Sequence, residues 1–436
     1  HELVAAGQAS ADDYSGLGAV CLLEDQYLEA KEYLGKAQLL RPDHPQTLSN
    51  LGLACFHLGE TERARTLLMQ AIALQPDLAA SYSNLALLQQ SCGEVEQAIA
   101  TYHRALECDP SQVTAHWHLA HSLFLIDAYS EAWPEHEWRL QDAPERKLHA
   151  MPQAPCLAFS AEALEYDGPL LLVSEQGIGD TLQFIRYVRL LQARGCQIRL
   201  CLPDQLHALV GHAFPDIELL SPEQGSDWCE GSWLALMSVP GLLKESPSNP
   251  LVSKPYLHAD SAHVASWRNV LGDSSEQQPL VALHWQGNPA AEVGPLQGRS
   301  FPLQTLAPLA ALADVRFVSL QKGIGAEQLV RCDFRDRFIP AQPLVDEAWD
   351  FLDTAAILAS CDLVITSDTA LAHLAGALGR PTWLLLHHIP DWRWGVRGDS
   401  TFWYPSMRLF RQLEAGNWDE LVTRLTPALR QFLVSQ

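Results

Sequence analysis

Two patterns of apolar positions divide this chain near residue 150. Before it, apolar and small residues recur at helical spacing with a period of 34. Leu51 and Gly52 open one unit, and Ala64, Leu68, Ala71 and Pro76 follow. One period later stand Leu85, Ala86, Ala98, Tyr102, Ala105 and Pro110; one period earlier, Leu17, Gly18, Ala30, Leu34, Ala37 and Pro42. The spacing predicts a hairpin of two helices per unit. Its Gly or Ala positions let the helices approach closely, and its proline ends the second helix. A fourth unit begins with His116, Leu119 and Ala120 and reaches Ala132. It then departs, with Trp133-Pro134-Glu135-His136-Glu137-Trp138 in place of the usual ending, which suits a capping unit.

After residue 150 the pattern changes to short, continuous apolar runs, each followed by a turn and an amphipathic stretch. Runs at 169–174, 197–202, 217–220 and 233–237 read as strands, as do 280–285, 315–320, 363–366 and 382–386. Runs that are apolar on both faces suit buried parallel strands. A Pro- and Ser-rich stretch, Lys244 to Pro250, separates two such series. The expected layout is a helical array at 1–140, a linker at 141–167, and two doubly wound domains at 168–270 and 271–436. The fold class is α + α/β, with a ligand cleft between the carboxyl ends of the two sheets.

Composition narrows the function. The chain has 436 residues, 47% hydrophobic and 19% charged, long enough for several cores and too apolar for disorder. Its 52 acidic and 29 basic residues leave a net charge of −23, which disfavours nucleic acid and anionic membranes as partners. Ten scattered cysteines without a CxxC pair read as reduced thiols. No run approaches membrane-spanning length, and no signal-like segment opens the sequence. The expected location is the cytoplasm.

The repeat resembles the tetratricopeptide repeat, which implies a protein- or peptide-binding array. Four strand-end segments carry a second resemblance: Glu175-Gln176-Gly177-Ile178-Gly179-Asp180-Thr181, Trp285-Gln286-Gly287-Asn288, Ser319-Leu320-Gln321-Lys322-Gly323, and Ser367-Asp368-Thr369-Ala370-Leu371-Ala372-His373. Together, over roughly residues 165–410, they resemble the bacterial heptosyltransferase family and its repeat-bearing relatives. The resemblance implies a GT-B pair of Rossmann-like domains and metal-independent, inverting sugar transfer from a nucleotide-diphosphate donor, with no cofactor. The layout is also similar to that of the protein O-GlcNAc transferases.

Elementary chemistry supports particular residues. A helix starting near Asp368 would point the free amides of Thr369, Ala370 and Leu371 out of its first turn, a ready anion site. His373, four residues after Thr369, would share their face and reach a diphosphate held there. The alternatives are an ordinary Asp368 cap and a structural histidine. Ser367, just past the run at 363–366, is a further candidate donor-binding residue. Gly376 and Gly379 permit close packing or chain reversal before Pro381. Inverting transfer needs a base, and the resemblance implies Asp180, presented by Gly177 and Gly179; the alternative is a plain helix cap. Glu175 is a weaker candidate base. Arg299, after the Gly294–Gly298 loop, would neutralise a leaving diphosphate. The stretch before it, Ala290-Ala291-Glu292-Val293, is less polar than in the family. Gln321, Lys322 and Glu327 are candidates to hold ribose or base, with a solvated loop as the alternative for the last two. Asp391-Trp392-Arg393-Trp394 either lids the donor or closes a core edge. No Asp-x-Asp triplet, P-loop or dinucleotide fingerprint occurs in the α/β region, and the adjacent His387 and His388 lack metal-ligand spacing. The second reading of the chain is a non-catalytic repeat scaffold carrying a degenerate transferase domain.

Overall fold

The computed structural model describes residues 9–141, 147–272, 278–289, 292, 298–312 and 315–434. It divides into two compact units, residues 1–145 and 146–436.

The first unit is built of helix pairs. The leading helices are α1 (Ala11–Leu23), α3 (Pro45–His57), α5 (Ala79–Ser91) and α7 (Val113–Leu125). The returning helices are α2 (Tyr27–Leu40), α4 (Thr61–Leu74), α6 (Val95–Cys108) and α8 (Tyr129–His136). Each series starts at intervals of 34 residues. Ser10 caps α1 in a reciprocal box with Asp13, and Pro45 opens α3 at a position where its missing N–H costs nothing. A Cβ on Gly18 would lie 2.4 Å from Leu34 Cγ, and one on Gly52 2.8 Å from Leu68 Cγ. The small residues are thus required by close crossing of the paired helices. The seams between units repeat as well. Arg65 of α4 grips Glu94 before α6 at 2.9 Å, and Lys31 pairs with Glu60 one period earlier. The fourth unit departs where the sequence does. Its α8 holds Pro134 and gives way to a 3-10 turn at Glu137–Leu140. Phe124, Tyr129 and Trp133 pack as a ring cluster, and His116 stacks on Trp138 at 3.8 Å.

The second unit contains two parallel sheets. The first comprises β1 (Pro169–Val173), β2 (Gln197–Cys201), β3 (Glu218–Leu220) and β4 (Ser232–Ala235), in the order β3-β2-β1-β4. The second comprises β5 (Leu280–His284), β6 (Arg316–Ser319), β7 (Leu363–Ser367), β8 (Thr382–Leu386) and β9 (Met407–Arg411), in the order β6-β5-β7-β8-β9. The eight expected runs all form strands; β9 is an addition, an edge strand whose arginines mask its pattern. Five helices matter for the site: α9 (Ile178–Phe184), α10 (Ser261–Leu271), α11 (Phe351–Ala359), α12 (Ala370–Ala377) and α13 (Trp418–Val434). Val281, Leu283, Phe317, Ile365 and Leu385 form the core of the second sheet with Leu421, Leu425 and Leu429 of α13.

Two expected boundaries look different in the structure. The stretch with linker composition is bound to the first sheet over 149–157: His149 N–H donates to Ser174 O (3.0 Å), Ala154 to Trp228 O (3.0 Å) and Leu157 to Trp233 O (2.9 Å). Its prolines suit an extended strap that needs few amide donors. Residues 142–146 lie outside the described residues. Helix α10, placed by sequence with the first sheet, packs on α11 beside the second, where Trp267 Nε1 donates to Asp353 (2.8 Å).

Candidate active site

The second sheet reverses its strand order between β5 and β7, so the carboxyl ends of those strands border a crevice. His284 ends β5 and Ser367 ends β7. From Ser367 the chain turns through Asp368 and Thr369 into α12, with Thr369 as its N-cap. Among the described residues, the amides of Thr369, Ala370 and Leu371 have no protein acceptor; the first amide of this turn to bond is that of Ala372, to Thr369 O (3.0 Å). Thr369 Oγ1 lies 3.4 Å from His284 Nδ1. Burial, then the charge of Arg299, lowers the pKa of His284 to about 4. Ser367 is fully buried and its Oγ has no partner among the described residues.

The turn after β1 faces the start of α12. A Cβ on Gly179 would lie 2.8 Å from His373 Cδ2 and 3.4 Å from Ala370 Cα. Gly179 is therefore needed for close approach. The left-handed residue of the turn is Gln176 (φ 59°), not a glycine. Gly177 N–H donates to Asp180 Oδ2 (2.7 Å). The other oxygen, Oδ1, pairs with Arg393 Nη2. Arg393 also donates to Asp391 from Nη1 (2.9 Å) and to Gln183 Oε1 from Nε, and lies over Trp392 at 4.4 Å. Trp392 and Trp394 of the Asp391–Trp394 segment are buried, as a core edge requires, and its Arg393 in addition anchors Asp180.

Electrostatics here are set by desolvation. Burial raises the Asp180 carboxyl above its ordinary range, against the pull of Arg393 and the Gly177 amide. Asp180 nevertheless keeps 20% of its side chain exposed. Burial, reinforced by Asp391, lifts Asp368 to about 7. Burial, then Arg393, keeps His373 well below the usual imidazole range and hence neutral. His373 Nδ1 shares a 2.9 Å hydrogen bond with Tyr404 Oη, and its ring stacks on Trp394. A Cβ on Gly376 would strike the Tyr404 ring at 2.5 Å, so this glycine permits close packing; Gly379 (φ 67°) reverses the chain.

The remaining candidates separate. Arg299 is 13% exposed; its buried Nε lies 3.7 Å from Glu292 as an ion pair and makes no hydrogen bond among the described residues, and its charge reaches His284 and Asp368. Ser300 accepts from Gly287 N–H (2.8 Å). The Gly294–Gln297 part of the loop, and Ala290, Ala291 and Val293, lie outside the described residues. Gln321 is used up by its own neighbourhood: Oε1 accepts from the Trp285 and Gln286 amides, and Nε2 donates to Gln286 O and Ile324 O. Lys322 Nζ donates to Val345 O, and Glu327 accepts from Gly325 N–H. These three side chains shape loops, and the structure does not join them to the Thr369 turn. Glu175 is buried and accepts from Met237 N–H (3.2 Å). Sequence reading missed Arg186. It is buried under the rings of Tyr256, Trp403 and Tyr404 and donates to Trp403 O (2.9 Å). Among the described residues, no three His, Cys, Asp or Glu side chains converge as a metal would require.

Fold and site define a chain that joins tetratricopeptide repeats to an α/β unit of two parallel sheets, the second with a strand-end turn into α12. Comparison with known proteins agrees. Tetratricopeptide-repeat models match residues 11–77 and 90–126. The model for glycosyltransferase family 9 (heptosyltransferase) matches residues 349–386, the segment from α11 through α12 to β8. Protein FlbA of Caulobacter vibrioides is 27% identical over 338 residues, 72% of this chain and 54% of that protein. The chain thus spans about half the length of the curated relative it matches. Among solved structures, MamA is similar over 33% of this chain and 85% of its own (23% identity, TM-score 0.28). The Sgt2 repeat domain of Aspergillus fumigatus is similar over 27% and 78% (20%, TM-score 0.25). No helix among the described residues is long and apolar enough to cross a membrane.

Proposed function

We propose that this chain is an inverting glycosyltransferase. It moves a sugar from a nucleotide-diphosphate donor to an acceptor hydroxyl, and its repeat array docks a protein or peptide acceptor. The observation that carries the reading is the meeting of the Gly177–Asp180 turn with the free amides at the start of α12. In this reading the donor phosphates sit on the amides of Thr369, Ala370 and Leu371, over Ser367 and Asp368. Neutral His373 offers a hydrogen bond without adding charge. As the sugar–phosphate bond breaks, negative charge grows on the leaving diphosphate. Arg299 neutralises it, in the role a metal fills elsewhere. Asp180 takes the proton of the acceptor hydroxyl as the new glycosidic bond forms. Gln321, Lys322 and Glu327 are assigned the shaping of the donor-side loops. A pair of Rossmann-like domains of the GT-B kind and a cytoplasmic place of action complete the reading; ten unpaired cysteines are in keeping with the latter.

One observation favours the non-catalytic scaffold instead. Both Asp180 oxygens are already engaged, by Arg393 and by the Gly177 amide, as in a purely structural cap. Donor hydrolysis decides. With ADP-, GDP- and UDP-linked sugars and EDTA present, wild type should release nucleotide, and Asp180→Asn should lower the rate by roughly 10²–10⁴-fold. If no nucleotide sugar raises the melting point or is cleaved, the scaffold reading stands.

A further inference from the structure

At the opposite end of α12 from the Thr369 turn, the structure holds a hollow of about 400 Å³. It lies where the chain at 255–257, which connects the two sheets, crosses the helix end. Tyr256 and Leu257 N–H both donate to Ala377 O (3.1 and 3.3 Å), and a Cβ on Gly379 would strike Pro255 at 2.4 Å. The floor is apolar: Leu257, Val264, Ala265, Ala359 and Leu378. The rim carries the guanidinium groups of Arg268 and Arg380 and the imidazole of His258, with no Asp or Glu among the lining residues.

Of the two arginines, Arg380 has a buried donor without an acceptor, and Arg268 stands exposed beside it. Arg380 donates from Nη2 to Cys361 O, which fixes its guanidinium, while its Nε is buried with no partner among the described residues. Arg268 stands on α10, and its guanidinium makes no hydrogen bond or ion pair among the described residues. A buried guanidinium N–H without an acceptor is costly, and planar forks of this kind match carboxylate or phosphate oxygens. In a chain of net charge −23, two guanidinium forks and an imidazole lining one hollow, with no Asp or Glu in that lining, form a local exception. The volume falls at the lower end of the range for small-molecule sites, which pair an apolar lining with a few placed polar groups.

We propose that this hollow is a binding site, separate from the Thr369 crevice, for a small organic anion: a phosphate or carboxylate held by Arg268 and Arg380, with an apolar body on Leu257, Val264 and Leu378. The anion would bridge α10 and the chain leaving α12. The proposal is independent of the sugar-transfer reading, because none of its residues belongs to that crevice.

Calorimetric titration of the whole chain with phenyl phosphate tests it, using wild type, Arg268→Glu and Arg299→Ala. Wild type should bind more tightly than about 1 mM. Arg268→Glu, a change on an exposed helix face that the fold tolerates, should weaken binding at least about tenfold, the loss of one charge-assisted pair. Arg299→Ala, in the other crevice, should leave this affinity unchanged. Arg380→Lys, which keeps the charge but not the fork, should weaken it less than Arg268→Glu does. The proposal is overturned if wild type shows no binding by 10 mM (about 10 times the expected limit), if Arg268→Glu binds like wild type, or if Arg299→Ala removes the only binding seen.

Discussion

The repeat array and the α/β unit reach stability by opposite routes. In the array every important contact is local and is made again one period later: Gly18 on Leu34, then Gly52 on Leu68; Lys31 to Glu60, then Arg65 to Glu94. In the α/β unit the decisive contacts are single and distant. Arg393 reaches back to Asp180 and Gln183, and Arg186 reaches forward to Trp403. A nearest-neighbour structure spreads damage thinly, whereas a convergent one concentrates it.

The sharpest way to break this contrast is Arg393→Ala. It strands the carboxylates of Asp180 and Asp391 in a site where Arg393 is 6% exposed. Breaking a buried pair from one side costs about 3–5 kcal/mol. Chemical denaturation should show the α/β transition moving by that amount while the array's helical signal holds its midpoint. A uniform shift of both would erase the distinction.

Next comes Asp368→Asn. The wild-type carboxyl has a folded pKa of about 7 against an ordinary value of 3.8. A raised folded value means the folded state holds the proton more tightly. Its contribution is full below the ordinary pKa and is lost as pH rises through the folded one. Wild type should therefore lose stability between about pH 4 and 7, at most about 4 kcal/mol at 1.36 kcal/mol per pKa unit. The isosteric amide has no such proton to lose. Its stability relative to wild type should climb across that window, read from melting temperatures at pH 5 and pH 8. A flat difference would mean that Asp368 is already ionised.

The smallest effect is expected in the array. Gly52→Val forces a side chain into Leu68 and should cost about 1–3 kcal/mol. The loss should stay with the neighbouring helices, as amide exchange would show. Loosening that spread into residues 169–411 would defeat the comparison.

The same contrast explains how much could be read from sequence. The array was legible almost to the residue, because its rules are periodic and its partners lie within 35 positions. The strands were legible as apolar runs, and the Thr369 turn as a strand end meeting a helix start. β9 was not, because Arg408 and Arg411 interrupt its apolar side chains. The role of Arg393 was not either. Its segment stands out in the sequence, but its partner lies 213 residues away, and no local spacing encodes that distance. Gln321 looked like a ligand contact because it follows a strand; only coordinates show its amide filled by Trp285, Gln286 and Ile324. The 149–157 strap was hidden for the converse reason, since extended backbone bonding leaves little trace in composition.

The recurring clasp between Arg65 and Glu94, and between Lys31 and Glu60, has a consequence for how such a molecule changes over generations. Each joint presents the same fastening to whatever follows, so a duplicated block of one period would find its mates already in place. The reach of the array can thus grow or shrink by whole units. The crevice around Asp180 has no such freedom: lengthening any segment between positions 180 and 393 must bring two particular atoms back together.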